Sequence, residues 1–216
     1  MTITPAAPRE LDTDVAIIGS GFGGSVTALR LSQKGHRVTV FEKGKRWPTE
    51  ELPTTNWNMP KFMWFPWIGC YGTWAMHLLR EVLILHGVGV GGGSLLYCCT
   101  LFEPPDVVWD DPQWKGLEDW RAVMPEHFAE ARRMLGAATN PRMGPADDAL
   151  RRAAARRGRE HTVRPTEVGI YFGEPDETVA DPYFGGEGPP RTGCTFCGAC
   201  MVGCKPGAKN TLDKNY

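Results

Sequence analysis

The sequence predicts an α/β fold in which a parallel strand pair is joined by a crossover helix, and three observations predict it. A short apolar run, Val15 to Ile18, has the character of a buried parallel strand. It leads directly into Gly19, Gly21 and Gly24, spaced as G-x-G-x-x-G. After a spacer of helical length, "HRVTVFE" supplies a second strand that ends at Glu42.

Each element has a local reason. The helix is expected from about Phe22 to Lys34, with Gly24, Ala28 and Leu31 on one face, so that small residues let it lie close to the strand. Gly35 stops it as a C-terminal cap glycine does. Gly19 makes the tight turn and Gly21 admits a diphosphate to the backbone, while the helix amino end offers free N–H groups and the positive end of its dipole. Glu42 lies 23 residues after Gly19, where an acid accepts hydrogen bonds from an adenosine ribose. Strand, glycines, helix and acid together predict a Rossmann-like dinucleotide site, with Phe22, Gly23 and Lys43 beside it. This unit alone does not separate FAD from NAD.

A further strand-like run, Val82 to His86, precedes Gly87, Gly89, Gly91, Gly92, Gly93 and Ser94. Three adjacent glycines cost conformational entropy, a cost tolerated where main chain presses against something flat or charged. Between the two units, Phe62 to Leu79 contains eighteen residues without Asp, Glu, Lys or Arg. A membrane span needs about 20 apolar residues, and Pro66, Gly69, Gly72 and His77 interrupt this one. It reads as a buried or lid-like segment, with peripheral membrane contact as the alternative and no transmembrane span.

With these motifs in place, the chain resembles the glucose–methanol–choline (GMC) family of FAD-dependent oxidoreductases, in its cholesterol-oxidase-like bacterial branch. The resemblance rests on "IIGSGFGGSVTALRL", "FEKG", "HGVGVGGGSLLY" with "EPP" after it, and "CTFCGACMVGCKPGAKNTLDKNY", in that order. It implies an FAD cofactor and a small-molecule alcohol or sterol substrate, with hydride passing from a CH–OH group to the flavin. It places Gly91, Gly92, Gly93 and Ser94 along the FAD. The asparagine common just after this loop is replaced here by Tyr97-Cys98-Cys99. No catalytic residue carries over. The family's histidine base lies near the end of a longer chain, and His36, His77, His86, His127 and His161 match no such motif. The expected organisation is an FAD-binding region over residues 1–100 and the start of an α+β substrate-side region over 101–216, completed by a C-terminal remainder of the enzyme.

In the second region, "DPQWKGLEDWRAVMPEHFAEARRMLGA" predicts one or two short helices, with Pro125 in the first turn of the second. "PADDALRRAAARRGRE" predicts another, capped by Asp147 or Asp148. "TEVGIYFG" reads as a strand and "EPDETVADPYFGGEGPPRTG" as loop. The closing "NTLDKNY" shows no capping or terminating pattern of its own.

Cys194, Cys197, Cys200 and Cys204 are spaced C-x2-C-x2-C-x3-C and followed by Lys-Pro. The spacing matches a ferredoxin run, in which the fourth cysteine ordinarily serves a second cluster. An iron–sulfur cluster is one reading and a tetrahedral zinc site another. The third is structural packing, with Cys197, Cys200 and Cys204 on one face of a helix.

Composition narrows the rest. A net charge of −1 offers no field for nucleic acid. The opening "MTITPAAPRELDTD" has no basic stretch followed by an apolar run, and seven unevenly spread cysteines do not form a secreted disulfide framework. A cytoplasmic protein is expected. Two other classes remain: a non-catalytic nucleotide-binding module, and an electron-transfer protein that passes flavin electrons through a cysteine-bound cluster. Because a dinucleotide crevice requires several parallel strands, the 216-residue chain by itself is expected to bind FAD weakly and to show no alcohol oxidation. Robust oxidation of a sterol by that purified chain would overturn the expectation.

Overall fold

The computed structural model describes residues 12–216. The leading stretch in which no secretory leader was read lies partly outside them. Among the described residues no helix is long and apolar enough to cross a membrane.

The predicted crossover unit is present. Strand β1 (Val15–Ile18), helix α1 (Phe22–Gln33) and strand β2 (Val38–Phe41) follow in order. The strands pair in parallel from Val15 opposite Val38 to Ile18 opposite Phe41. Asp14 clips their start: its carboxylate accepts the Arg37 backbone N–H at 2.8 Å and its guanidinium at 2.9 Å. Gly35 ends the helix at φ +87°, and its N–H donates to the Ser32 carbonyl at 2.9 Å. Close helix–strand approach depends on Gly24, where an added Cβ would lie 1.9 Å from the Gly19 carbonyl oxygen. The described sheets all have two strands, and Ile18 is 92% exposed at the end of β1.

Helix α2 (Met59–Phe62) leads into the uncharged segment, which folds as short pieces: strands β3 (Trp64–Phe65) and β4 (Cys70–Tyr71), and then strand β5 (Trp74–Leu78). Gly69, at φ +77°, turns β3 onto β4. β5 forms an antiparallel hairpin with β6 (Leu83–Gly87). Its tip is open to solvent, with Leu78, Leu79 and Val82 exposed, but its base is tied down, since the Trp74 indole N–H donates to the Met201 carbonyl at 2.9 Å.

Three expectations for the second region need correction. The first stretch forms one helix, α3 (Trp120–Met134), within the one or two expected, but Pro125 lies inside it and not in the first turn of a second helix. The hydrogen bond that proline cannot donate would go to Arg121, one turn earlier, so the break is confined to the helix start. Asp119 caps that start by accepting from the Ala122 N–H at 3.3 Å. The next helix, α4 (Pro145–Ala155), is capped by Gly144 and not by an aspartate; Asp147 instead reaches back to accept the Gly144 N–H at 2.7 Å. The presumed loop contains two antiparallel strands, β9 (Thr178–Val179) and β10 (Arg191–Thr192). Between them, the Asp181 carboxylate accepts four backbone N–H groups, from Tyr183, Phe184, Gly186 and Gly188. Strands β7 (Ala138–Thr139) and β8 (Glu167–Val168) pair beside α3, whose Arg132 is ion-paired to Glu167.

The closing segment also departs from expectation. It forms a short helix, α5 (Leu212–Asn215), and residues 207–212 are all buried. Its order comes from contacts distant in sequence and not from a local pattern. Asn210 donates to the Leu135 carbonyl at 3.0 Å and accepts from Arg191 Nε at 3.0 Å. Asn215 donates to the Met134 carbonyl and accepts from Arg191 Nη2, both at 2.8 Å. Arg191 is thus a fully buried cation held by amide and carbonyl oxygens, and burial draws its pKa below the ordinary arginine value.

The tightest of these contacts is directly testable. Gly24→Ala forces the helix away from the β1 turn and is expected to lower stability by about 2 kcal/mol, in the range for overpacking. Thermal unfolding measures it, and a midpoint within about one degree of the parent would contradict the packing described.

Candidate functional site

The two glycine-rich loops pack against each other. An added Cβ on Gly92 would lie 2.7 Å from the Gly21 Cα, and one on Gly44 would lie 2.4 Å from the Gly89 nitrogen. Glu42 joins them. One carboxylate oxygen accepts from the Ser20 N–H at 2.9 Å and the Ser20 hydroxyl at 2.8 Å. The other accepts from the Gly44 N–H at 3.0 Å and, more weakly, from the Gly89 N–H at 3.4 Å. Ser20 passes the link on, because its hydroxyl accepts the Gly91 N–H at 3.2 Å. Burial opposes ionisation of Glu42, but these hydrogen bonds together outweigh it and hold the carboxyl below the ordinary glutamate range.

The first loop keeps donors free on its outer side. Gly19 turns at φ +90°, and Gly21 is the N-cap of α1. No side chain caps that helix and no acid stands in its first turn. The N–H groups of Phe22, Gly23 and Gly24 therefore project from the helix start without intrahelical acceptors. An added Cβ at Gly21 or Gly23 would meet nothing within 4 Å, so this backbone faces open space. Phe22 is exposed and packs edge-on to Tyr97, with ring centroids 5.9 Å apart. Lys43 lines a groove of about 430 Å³ with Lys45, Lys61, Trp64 and Tyr71.

In the second loop Gly91 and Gly92 take φ +101° and +52°. Both are buried, and Gly93 is partly exposed beside Phe22. Ser94 is fully buried, donating to the Gly91 carbonyl at 2.7 Å and accepting the Leu212 N–H at 2.9 Å. Its hydroxyl is engaged in tying the loop to α5. Sequence reasoning missed Ser20, Gly44 and Gly89 as partners of Glu42, although all three lie inside or beside the quoted motifs. It also missed Lys209, for which the sequence carried no signal. That buried ammonium donates to the carbonyls of Leu95, Tyr97 and Cys200, each at 2.9 Å. Burial lowers its pKa from the ordinary lysine value.

The cysteine run is not helical; its residues lie in turns and irregular chain. Among the described residues no group of three or more His, Cys, Asp or Glu is placed to hold a metal ion. The cluster and zinc readings of Cys194, Cys197, Cys200 and Cys204 therefore find no support. The sulfurs serve local contacts. Cys194 accepts the Phe196 N–H at 3.4 Å and Cys204 the Lys209 N–H at 3.3 Å, while Cys197 is exposed. Cys194, Cys200 and Cys204 pack against a core of Cys99, Val168, Ile170 and Ala208. The interacting thiols of Cys99 and Cys200 shift in opposite directions, Cys99 upward and Cys200 downward. Of the histidines, His77 and His86 stack on the β5–β6 hairpin with Nε2 atoms 2.9 Å apart.

Comparison with known proteins bears on the fold around the first loop and on relatedness. Residues 17–50 match the model of an NAD(P)-binding Rossmann-like domain. A cholesterol oxidase of Mycobacterium tuberculosis is 53% identical over 210 residues, covering 95% of this chain and 36% of the relative. A cholesterol oxidase of Acinetobacter baumannii is 49% identical over 209 residues, again 95% of this chain and 38% of the relative. A GMC-type oxidoreductase of M. tuberculosis is 32% identical over 116 residues, 52% of this chain and 18% of the relative. The chain thus spans little more than a third of the length of the cholesterol oxidases it matches.

Glu42 offers a test of the link between the loops. Glu42→Gln removes a charged acceptor from several donors and is expected to cost about 2 kcal/mol of stability. Because the folded carboxyl titrates below the ordinary value of 4.5, its contribution is complete above that pH and is lost as pH falls through the lowered value. Acid unfolding followed by circular dichroism should show that loss in the parent and a shallower slope in the variant; identical acid profiles would remove Glu42 from this role.

Proposed function

We propose that this chain, a relative of the cholesterol-oxidase-like GMC oxidoreductases, is the FAD-binding portion of an oxidoreductase acting on the CH–OH group of alcohols or sterols. One observation carries the reading. The uncapped start of α1 presents free N–H groups across open backbone at Gly21 and Gly23, and a second glycine loop packs directly beside it. Such a helix start suits a diphosphate.

On this reading Gly19, Gly21, Phe22, Gly23 and Gly24 hold the diphosphate. Glu42 orients the adenosine ribose by exchanging its weakest contact, the 3.4 Å bond from the Gly89 N–H, because Ser20 and Gly44 take its other acceptor sites, and Lys43 lies at the edge. Gly91, Gly92 and Gly93 form the floor along the cofactor, with Ser94 supporting them from behind. FAD, once bound, supplies the hydride acceptor for alcohol oxidation. The protein contributes rigid backbone donors and a loop closed to water on its buried side. Residues 1–100 form the cofactor region and 101–216 the start of the substrate-side region, with the rest of the enzyme as partner. The relatives are cholesterol oxidases, which supports a sterol or similar apolar alcohol as substrate.

Gly21 separates binding from folding, since a methyl group there meets no protein atom. In the full-length gene product, Gly21→Ala is expected to leave the thermal midpoint nearly unchanged and to weaken FAD binding about tenfold or more, equivalent to about 1.4 kcal/mol. Bound flavin is read from its visible absorption. A parent protein that takes up a nicotinamide nucleotide and no flavin would refute the assignment.

A further inference from the structure

Five of the seven cysteines, Cys98, Cys194, Cys197, Cys200 and Cys204, line one cavity of about 240 Å³. No residue of the glycine loops lines the cavity, and the proposed oxidoreductase chemistry does not use it. Lys209 also lines it, placing a buried ammonium beside the sulfurs. Cys99 lies just behind, fully buried, in a core cluster against which Cys200 packs. We propose that Cys200 and Cys99 form a peroxide-reactive thiol pair that closes to a disulfide.

Three features carry the inference. The first is access: Cys200 faces a cavity large enough for a peroxide, whereas its partner does not and is shielded from competing reagents. The second is a fixed relationship between the two chain segments. The Lys209 ammonium grips the Tyr97 and Cys200 carbonyls together. The Cys99 carbonyl is held by the Gly169 N–H at 2.7 Å. The third is an unusual backbone. Cys99 sits at φ +66°, in the left-handed region that a residue with a side chain enters only when its surroundings impose it.

The chemistry balances with a hydroperoxide as oxidant. The Cys200 sulfur attacks one peroxide oxygen; an S–O bond forms, the O–O bond breaks, and the departing oxygen takes the thiol proton and leaves as water when the oxidant is hydrogen peroxide. The Cys99 sulfur then displaces the hydroxyl from the Cys200 sulfenic acid. An S–S bond forms and the second thiol proton leaves in a second water. Two thiols are oxidised and one peroxide is reduced.

The test uses the full-length gene product, reduced and then exposed to hydrogen peroxide. Remaining thiols are alkylated and the digest is analysed by tandem mass spectrometry without reduction. The expected result is the loss of two alkylatable thiols per chain and a dithiothreitol-reversible link between Cys99 and Cys200. That link should persist in Cys98→Ser. Should that variant fail to fold, fragment ions of the parent peptide distinguish Cys98 from Cys99. A link from Cys200 to Cys98, Cys194, Cys197 or Cys204, conversion of Cys200 to sulfinic acid without a link, or full retention of both thiols would each overturn the proposal.

Discussion

The Glu42 carboxylate is the contact on which the site depends. It stands at the carboxyl end of β2 and gathers N–H groups from the turn after β1, from its own following turn and from the second glycine loop. Loops rich in glycine lose much conformational freedom on ordering, and few side chains are available to hold them. A half-buried anion surrounded by backbone donors solves that problem, since charge-assisted bonds are stronger than neutral ones. The same arrangement keeps the carboxylate ionised and leaves the outer face of the α1 turn clear.

A second constraint works from the opposite side. Lys209 and Arg191 are both about 1% exposed, and their hydrogen-bond partners are carbonyl and amide oxygens. Burying a cation is unfavourable unless its protons are satisfied, so each fixes the chain around it. Lys209 ties the stretch after the second glycine loop to the cysteine run, and Arg191 ties β10 to the closing segment. Through Ser94 and the Leu212 N–H, that closing segment supports the glycine loop from below.

The sequence made the crossover unit legible because its signals are local. The Val15–Ile18 strand and Gly35 as helix terminator were readable from periodicity and backbone freedom alone. Glu42 was legible as an acid at the end of its strand, but not as a strut, since its partners Gly44 and Gly89 come from turns that only the fold brings near. The second half was read less well for the same reason. Asp181 and Asn210 organise their surroundings through bonds to backbone groups, which leave no periodic trace. Gly144 took the capping role assigned to an aspartate because Pro145 already fills the first helical position. The cysteine spacing suggested a cluster, yet spacing says nothing of where the thiols point once the run folds as turns.

The two-stranded β1–β2 ribbon has a consequence beyond the site. With Ile18, Val40 and Phe41 open to solvent, it presents unpaired main-chain groups alongside greasy side chains. Such an edge is a template for whatever extended polypeptide reaches it first.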